Sequence, residues 1–278
     1  MSHAQKVREF YDSAVHCYES IMGHTWHHGD PEAEARGLSV LEAAQVLEEK
    51  VVSLSGLQPG GRALDFGAGV GGPAIYMAEI SCASFIGLSN NEELSRRARD
   101  LAGQRGLSER VSFFTTGDDD YRTLVAFADS SFDAVTFYES VCHLPDKPAF
   151  FRAAFRILKP GARLVGIDWL QRPFGEHRTD EQIMRFMGPV NEHMRIPGHG
   201  SLASYQTMME EAGFQVSMAE DLFEGVECWG STPEQKRPQW LNYDGPDGEL
   251  FRKGKAALDA ARGSGVFTVG MFVAIKPK

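Results

Sequence analysis

Arg62-Ala63-Leu64-Asp65-Phe66-Gly67-Ala68-Gly69-Val70-Gly71-Gly72-Pro73 is the stretch whose reading decides the fold. Leu64, Asp65 and Phe66 end a short apolar strand, and Pro73 opens a helix in its first turn, where a missing N–H costs nothing. The glycine turn between them lets a ligand approach bare backbone at a helix N-terminus. Glycines at 67, 69 and 72 satisfy a dinucleotide-binding spacing. Asp65 argues against that ligand, because a carboxylate at the strand end repels a pyrophosphate and suits an ammonium or a sulfonium. The acidic residue that a dinucleotide ribose needs about 20 positions on is also missing, since the next strand ends Gly87-Leu88-Ser89-Asn90-Asn91.

Outward from this turn, strands and helices alternate. Strands are expected at 83–88, 111–114, 132–138, 163–168, 214–218 and 266–275. Helices are expected between them, one capped by Asp146, with Lys159-Pro160-Gly161 as the turn into the fifth strand. This rhythm implies an α/β fold with a doubly wound, seven-stranded, mostly parallel sheet. Such sheets bind ligands at the carboxyl ends of their strands, where Asp65, Ser89, Asp118, Glu139 and Asp168 are expected to gather.

Ahead of the sheet, Val7, Phe10, Tyr11, Ala14, Val15, Tyr18 and Ile21 recur at helical spacing over residues 4–22. Gly23-His24-Thr25-Trp26-His27-His28-Gly29-Asp30-Pro31 then breaks the period with a loop dense in aromatic and imidazole groups. No carboxylate or cysteine stands at ligand spacing from the three histidines, so the loop reads as an aromatic lid and no metal is expected. Ser39-Val40-Leu41-Glu42 is a capping box that starts a helix reaching about Leu54.

At 278 residues the chain is one large domain, with or without a substantial lid. A net charge of −10 and the lack of a basic run argue against nucleic acid or an anionic membrane surface as partner. The four cysteines (17, 82, 142, 228) form no C-x-x-C pair, and no run is apolar enough to span a bilayer. A cytoplasmic protein with free thiols is the expectation, and a homo-oligomer stays open.

Asp65-x-Gly67-x-Gly69-x-Gly71 after a strand resembles motif I of the class I S-adenosylmethionine (SAM) methyltransferases. Gly117-Asp118, Phe132-Asp133 and Leu158-Lys159-Pro160-Gly161 are similar to the same family, over residues 60–170 closely and elsewhere more loosely. The resemblance implies that Asp65, Gly67 and Gly69 hold the methionine part of SAM, with Tyr11 and Glu139 reaching the cofactor too. It implies that Ser89 and Asn90 hold the ribose and that Asp118 meets the adenine amino group. Ser89-Asn90 departs from the acidic residue usual at the ribose position. Gly87-Leu88-Ser89-Asn90-Asn91-Glu92 is instead similar to the matching run of sterol C-methyltransferases.

Tyr138-Glu139-Ser140-Val141-Cys142-His143 resembles sterol and isoprenoid C-methyltransferases, and also small-molecule O-methyltransferases. Methylating an alkene creates a carbocation, which needs a counter-charge and a base, and Glu139 suits both. Methylating a hydroxyl needs a base beside it, and His143 suits that. The implied activity is transfer of a methyl group from SAM, leaving S-adenosylhomocysteine, to a hydrophobic small molecule, foremost the carbon of an isoprenoid or prenylated metabolite. Rival readings are methylation of a sugar or polyketide hydroxyl, a nucleotide-dependent oxidoreductase, and a SAM-binding module without catalysis. The acceptor wall is expected from Trp26, His28, Trp169, Phe174, Phe186 and Met187, since thioethers and aromatic rings mould to a bulky apolar molecule. The expected division is 1–58 for N-terminal helices and lid, 59–170 for the SAM-binding core, 171–200 for a substrate lid, and 201–278 for the rest of the sheet and pocket.

Overall fold

The structure, a computed structural model, describes residues 1–117, 120–173, 180–230, 242–245 and 247–278. Seven strands form one sheet in the order β3-β2-β1-β4-β5-β7-β6: β1 (Arg62–Phe66), β2 (Ser84–Ser89), β3 (Val111–Thr115), β4 (Phe132–Tyr138), β5 (Leu158–Gln171), β6 (Gln215–Asp221) and β7 (Phe267–Ile275). β1 to β5 pair in parallel, and β7 runs antiparallel between β5 and β6. The order reverses direction beside β1, which puts the β1 and β4 ends at the crevice where such sheets take ligands.

Period-2 alternation sorts each strand onto the two faces. Ala63 of β1 falls in the same core cluster as Leu47 and Val51 of α3 (Val40–Ser55), whereas Leu64 and Phe66 fall in the other, with Phe150 of α6 (Lys147–Ile157). Asp65 therefore stands on the α3 face, level with Thr136 of β4. Local signals account for the helix starts. Ser39 caps α3 in the expected box with Glu42, and Asp146 caps α6 by accepting from the Ala149 N–H. Among the described residues the remaining α-helices are α1 (His3–Met22), α2 (Pro31–Ala35), α4 (Gly72–Ser81), α5 (Glu92–Gln104), α7 (Asp180–His193), α8 (Leu202–Glu211) and α9 (Gly248–Gly263). Among the described residues no helix is long and apolar enough to cross a membrane.

Two expectations are revised. The turn at Lys159–Gly161 lies within β5, whose Leu158 already pairs with Phe132 before an irregularity realigns the two strands. The strand also continues past Asp168 to Gln171, because β7 supplies an antiparallel partner as far as Phe267. The described part of 171–200 carries α7, which packs along α9 with Met187 wholly buried.

Candidate active site

At the carboxyl ends of β1, β2 and β4 lies a cavity roofed by α1 and the loop after it, with α9 along its far wall. Its lining includes Asp65, Gly67 and Gly69 of the glycine turn, Ser89 and Asn90 after β2, and Glu139 and His143 after β4. Tyr11, Trp26, His28 and Trp169 also face it. Asp118 and Phe174 lie outside the described residues. Phe186 and Met187 are not on the wall. Phe186 is half-buried against the core, and Met187 is inside it.

The glycine turn is wedged between two other segments. Gly67 has φ +81°, and a Cβ there would stand 2.2 Å from the Ser140 Cβ. Ser140 is held over it by donating from Oγ to the Phe66 carbonyl at 2.7 Å. A Cβ on Gly72 would stand 2.0 Å from the His24 carbonyl oxygen. The spacing of these glycines thus serves contact with the protein's own lid as well as with a ligand.

Asp65 is 1% exposed and accepts from the Thr136 hydroxyl at 2.9 Å. Burial pushes its carboxyl up to about 7, against the lowering effect of Thr136. Asp168, expected beside it, faces the other way. Strand alternation turns it to the α8 side, where the Tyr205 hydroxyl donates to it at 2.7 Å.

Glu139 sits at φ +49° with 6% of its side chain exposed. The His28 backbone N–H donates to its Oε1 at 3.1 Å, and His28 Nδ1 approaches the same oxygen at 3.5 Å without forming a hydrogen bond. Burial alone would raise the Glu139 carboxyl. The His28 imidazole and N–H, with His27, outweigh that and hold it below the usual carboxylate range. The His28 ring lies flat on Trp229, with centroids 3.4 Å apart. A buried anion therefore faces the cavity at neutral pH.

His143 is held by two partners. Its Nδ1 lies 3.4 Å from the Arg195 carbonyl oxygen, which can only accept, so Nδ1 carries the hydrogen. Its Nε2 then accepts from the Tyr11 hydroxyl at 3.1 Å. Burial pulls its pKa down to about 4, which keeps the ring neutral. It does not orient Glu139, which is held by His28. Tyr11 in turn stacks parallel to Trp26 at 6.4 Å, and Tyr18 tilts against Trp26 at 5.2 Å, so three ring systems stand over the cavity.

Sequence reasoning missed Phe251, Lys255 and Leu258, which line the far wall from α9. Their i, i+4, i+7 spacing marks one helix face, and that face was the available signal.

The residues fit a SAM molecule. Asn90 Nδ2 is buried without a hydrogen-bond partner beside the cavity, as a group waiting for a ribose hydroxyl would be. Beyond Gly69, a Cβ would meet only Trp26, at 3.7 Å, which leaves its backbone open to a ligand.

Comparison with known proteins settles the family. A family model described as a methyltransferase domain matches residues 40–218. The chain belongs to the SAM-dependent methyltransferases. It is 28% identical over 222 residues to cycloartenol-C-24-methyltransferase of Arabidopsis thaliana, covering 80% of this chain and 63% of that protein. The chain thus spans less than two thirds of that plant relative. It is 31% identical over 238 residues to 27-O-demethylrifamycin SV methyltransferase of Amycolatopsis mediterranei (strain S699), covering 84% of this chain and 79% of that one. A mycolic acid cyclopropane synthase solved with S-adenosylhomocysteine and CTAB shares the fold, with a TM-score of 0.83, 17% identity and 99% of both chains covered. SAM is the cofactor of this methyltransferase.

The lid gives a direct expectation. Adding S-adenosylhomocysteine should slow amide hydrogen exchange across residues 20–35, because His24 and Trp26 close on the glycine turn. Unchanged exchange in that window would return the loop to a purely structural role.

Proposed function

We propose that this methyltransferase methylates carbon in an apolar small molecule, an isoprenoid by class, through a positive charge formed on the acceptor. The observation that carries the reading is Glu139, a buried carboxylate held ionised beside a cavity that Val7, Phe10, Tyr18, Trp26, Phe251 and Leu258 also line. Bound at the glycine turn, SAM supplies an electrophilic methyl group on a sulfonium. Asp65 would hold its ammonium, Ser89 and Asn90 its ribose. Glu139 faces the charge left on the acceptor and takes the proton whose loss restores a double bond. The faces of Tyr11, Tyr18 and Trp26 add cation–π attraction. Val7, Phe10, Phe251 and Leu258 exclude the water that would otherwise capture the cation.

A second reading, methylation of a hydroxyl, draws on the rifamycin relative and on the Tyr11–His143 pair. A hydroxyl could pass its proton to the Tyr11 oxygen as Tyr11 passes its own to His143 Nε2. The pKa of about 4 makes His143 a weak final acceptor for that proton, which favours the first reading.

Carbon-13-methyl SAM, incubated with a panel of prenyl alcohols, prenyl diphosphates, sterols and polyketide alcohols, separates the two. A new carbon–methyl bond is expected in a prenyl or sterol acceptor. A methyl ether as the only product would overturn the carbon assignment. In a protein that methylates carbon, Tyr11→Phe should lower turnover less than about tenfold, whereas loss of a relay needed by a hydroxyl should cost about 10²-fold or more.

A further inference from the structure

His27 is the buried imidazole of the lid loop, at 2% exposure, and its partner Glu48 on α3 is fully buried. Its Nδ1 lies 2.8 Å from the His28 carbonyl oxygen, and its Nε2 lies 2.9 Å from Glu48 Oε1. A carbonyl oxygen only accepts, so Nδ1 carries a hydrogen. The second contact also holds a proton, on Nε2 or on Oε1, because a bare ring nitrogen and a bare carboxylate oxygen repel at that distance. Between them His27 and Glu48 therefore hold two protons and no net charge.

The surroundings make that second proton matter. Glu48 Oε2 is buried without a hydrogen-bond partner. Tyr138 of β4 stacks on the His27 ring at 4.5 Å, and its hydroxyl is turned to Met77 of α4. Asp65 of β1 and Glu139 after β4 are coupled to His27 by charge, and His28 is the next residue in its own loop. Removing the shared proton would leave a buried negative charge facing two further carboxylates, with Glu48 only half satisfied. The loop that would be released places the His24 carbonyl on Gly72, Trp26 beside Gly69 and the His28 N–H on Glu139.

We propose that His27 and Glu48 are a positioning pair for the cofactor, whose shared proton locks the lid loop over the glycine turn. The pair acts through the loop and touches neither the methyl group nor the acceptor, so it rests on the cofactor and not on the acceptor class. Burial works against the imidazolium, but the Glu48 hydrogen bond and charge outweigh it and leave the His27 pKa raised. For a raised imidazole pKa the lock is complete below the ordinary value and is lost as pH rises through the raised one. What the pair contributes to cofactor affinity should then hold through neutral pH and fall on the alkaline side.

Calorimetry with S-adenosylhomocysteine at about pH 7 and about pH 9.5 tests this on wild type, Glu48→Gln and His27→Phe. The amide introduced by Glu48→Gln can donate to Nε2 of a neutral His27 while Nδ1 still donates to the His28 carbonyl, so the lock survives without an ionisable proton. The ligand's own ammonium titrates with every protein, so only differences between proteins report on the pair. Wild type is expected to lose at least about tenfold more affinity than Glu48→Gln between the two pH values, and His27→Phe to bind at least about tenfold more weakly than wild type at pH 7. Parallel pH profiles for wild type and Glu48→Gln, or wild-type affinity in His27→Phe, would overturn the proposal. Nitrogen-15 imidazole spectra of the wild-type protein need no variant. Ring nitrogens whose protonation stays unchanged across neutral pH support the lock, and titration of His27 near its ordinary value of about 6.5 refutes it.

Discussion

Glu139→Gln is expected to lower methyl transfer by at least about 10²-fold while S-adenosylhomocysteine binds within about threefold of wild type. Glutamine keeps the length of the side chain and an oxygen for the His28 N–H, which donates to Oε1 at 3.1 Å. It loses the charge that His28 and His27 hold in place against burial. In a site closed to water, a carbocation without its counter-charge forms more slowly and its proton has no acceptor, so both losses fall on the chemical step. Single-turnover rates with the acceptor identified by the carbon-13 panel measure the effect apart from product release. Full activity in a folded Glu139→Gln protein would end the carbocation mechanism proposed above.

Asp65→Asn is expected to weaken S-adenosylhomocysteine binding by about 2 kcal/mol, near 30-fold, the scale of a lost charged hydrogen bond. The same residue sets a pH dependence whose sign follows from its environment. Its carboxyl is pushed up to about 7 in the free protein, while an ammonium beside it would stabilise the ionised form. Binding then displaces a proton below pH 7, so the contribution of Asp65 should raise wild-type affinity about tenfold between pH 6 and pH 8. The Asp65→Asn variant has no carboxyl to titrate at this position, and its profile should be flat in that window. Stability moves the other way. A folded pKa raised from 3.8 to about 7 means that the unliganded protein loses stability as pH climbs between those values. Asp65→Asn should therefore melt higher than wild type at about pH 8 even as it binds the ligand worse. Unchanged affinity in the folded variant would remove Asp65 from the cofactor site.

The parts of this enzyme that were legible in the sequence are those whose causes lie within a few residues. The strand–glycine–helix turn at 62–73 is readable because an extended run, a positive-φ turn and a first-turn proline are local demands on the backbone. The Ser39–Glu42 box and the Asp146 cap are readable for the same reason, since each satisfies N–H groups three residues away. Alternation along β1 and β4 places Asp65 and Thr136 on one face, but the sequence does not say which face meets the ligand.

What the tertiary structure decided is who partners whom. His143 looked like a free base, and is a neutral acceptor from Tyr11, 132 residues away. Glu139 is held by His28 across 111 residues, and His27 is bound to Glu48 on another helix. Asp168 looked like a site carboxylate, but strand alternation in β5 turns it toward Tyr205. The far wall from α9 showed in the sequence only as one helix face, because Phe251 and Leu258 acquire their role only where that helix packs. Charge states followed the same division: residue type sets the ordinary pKa, but burial imposed by the fold moved Asp65 up and His143 down. Propensity and capping act along the chain at short range, whereas desolvation and pairing act through space, and only packing the elements together brings them into force.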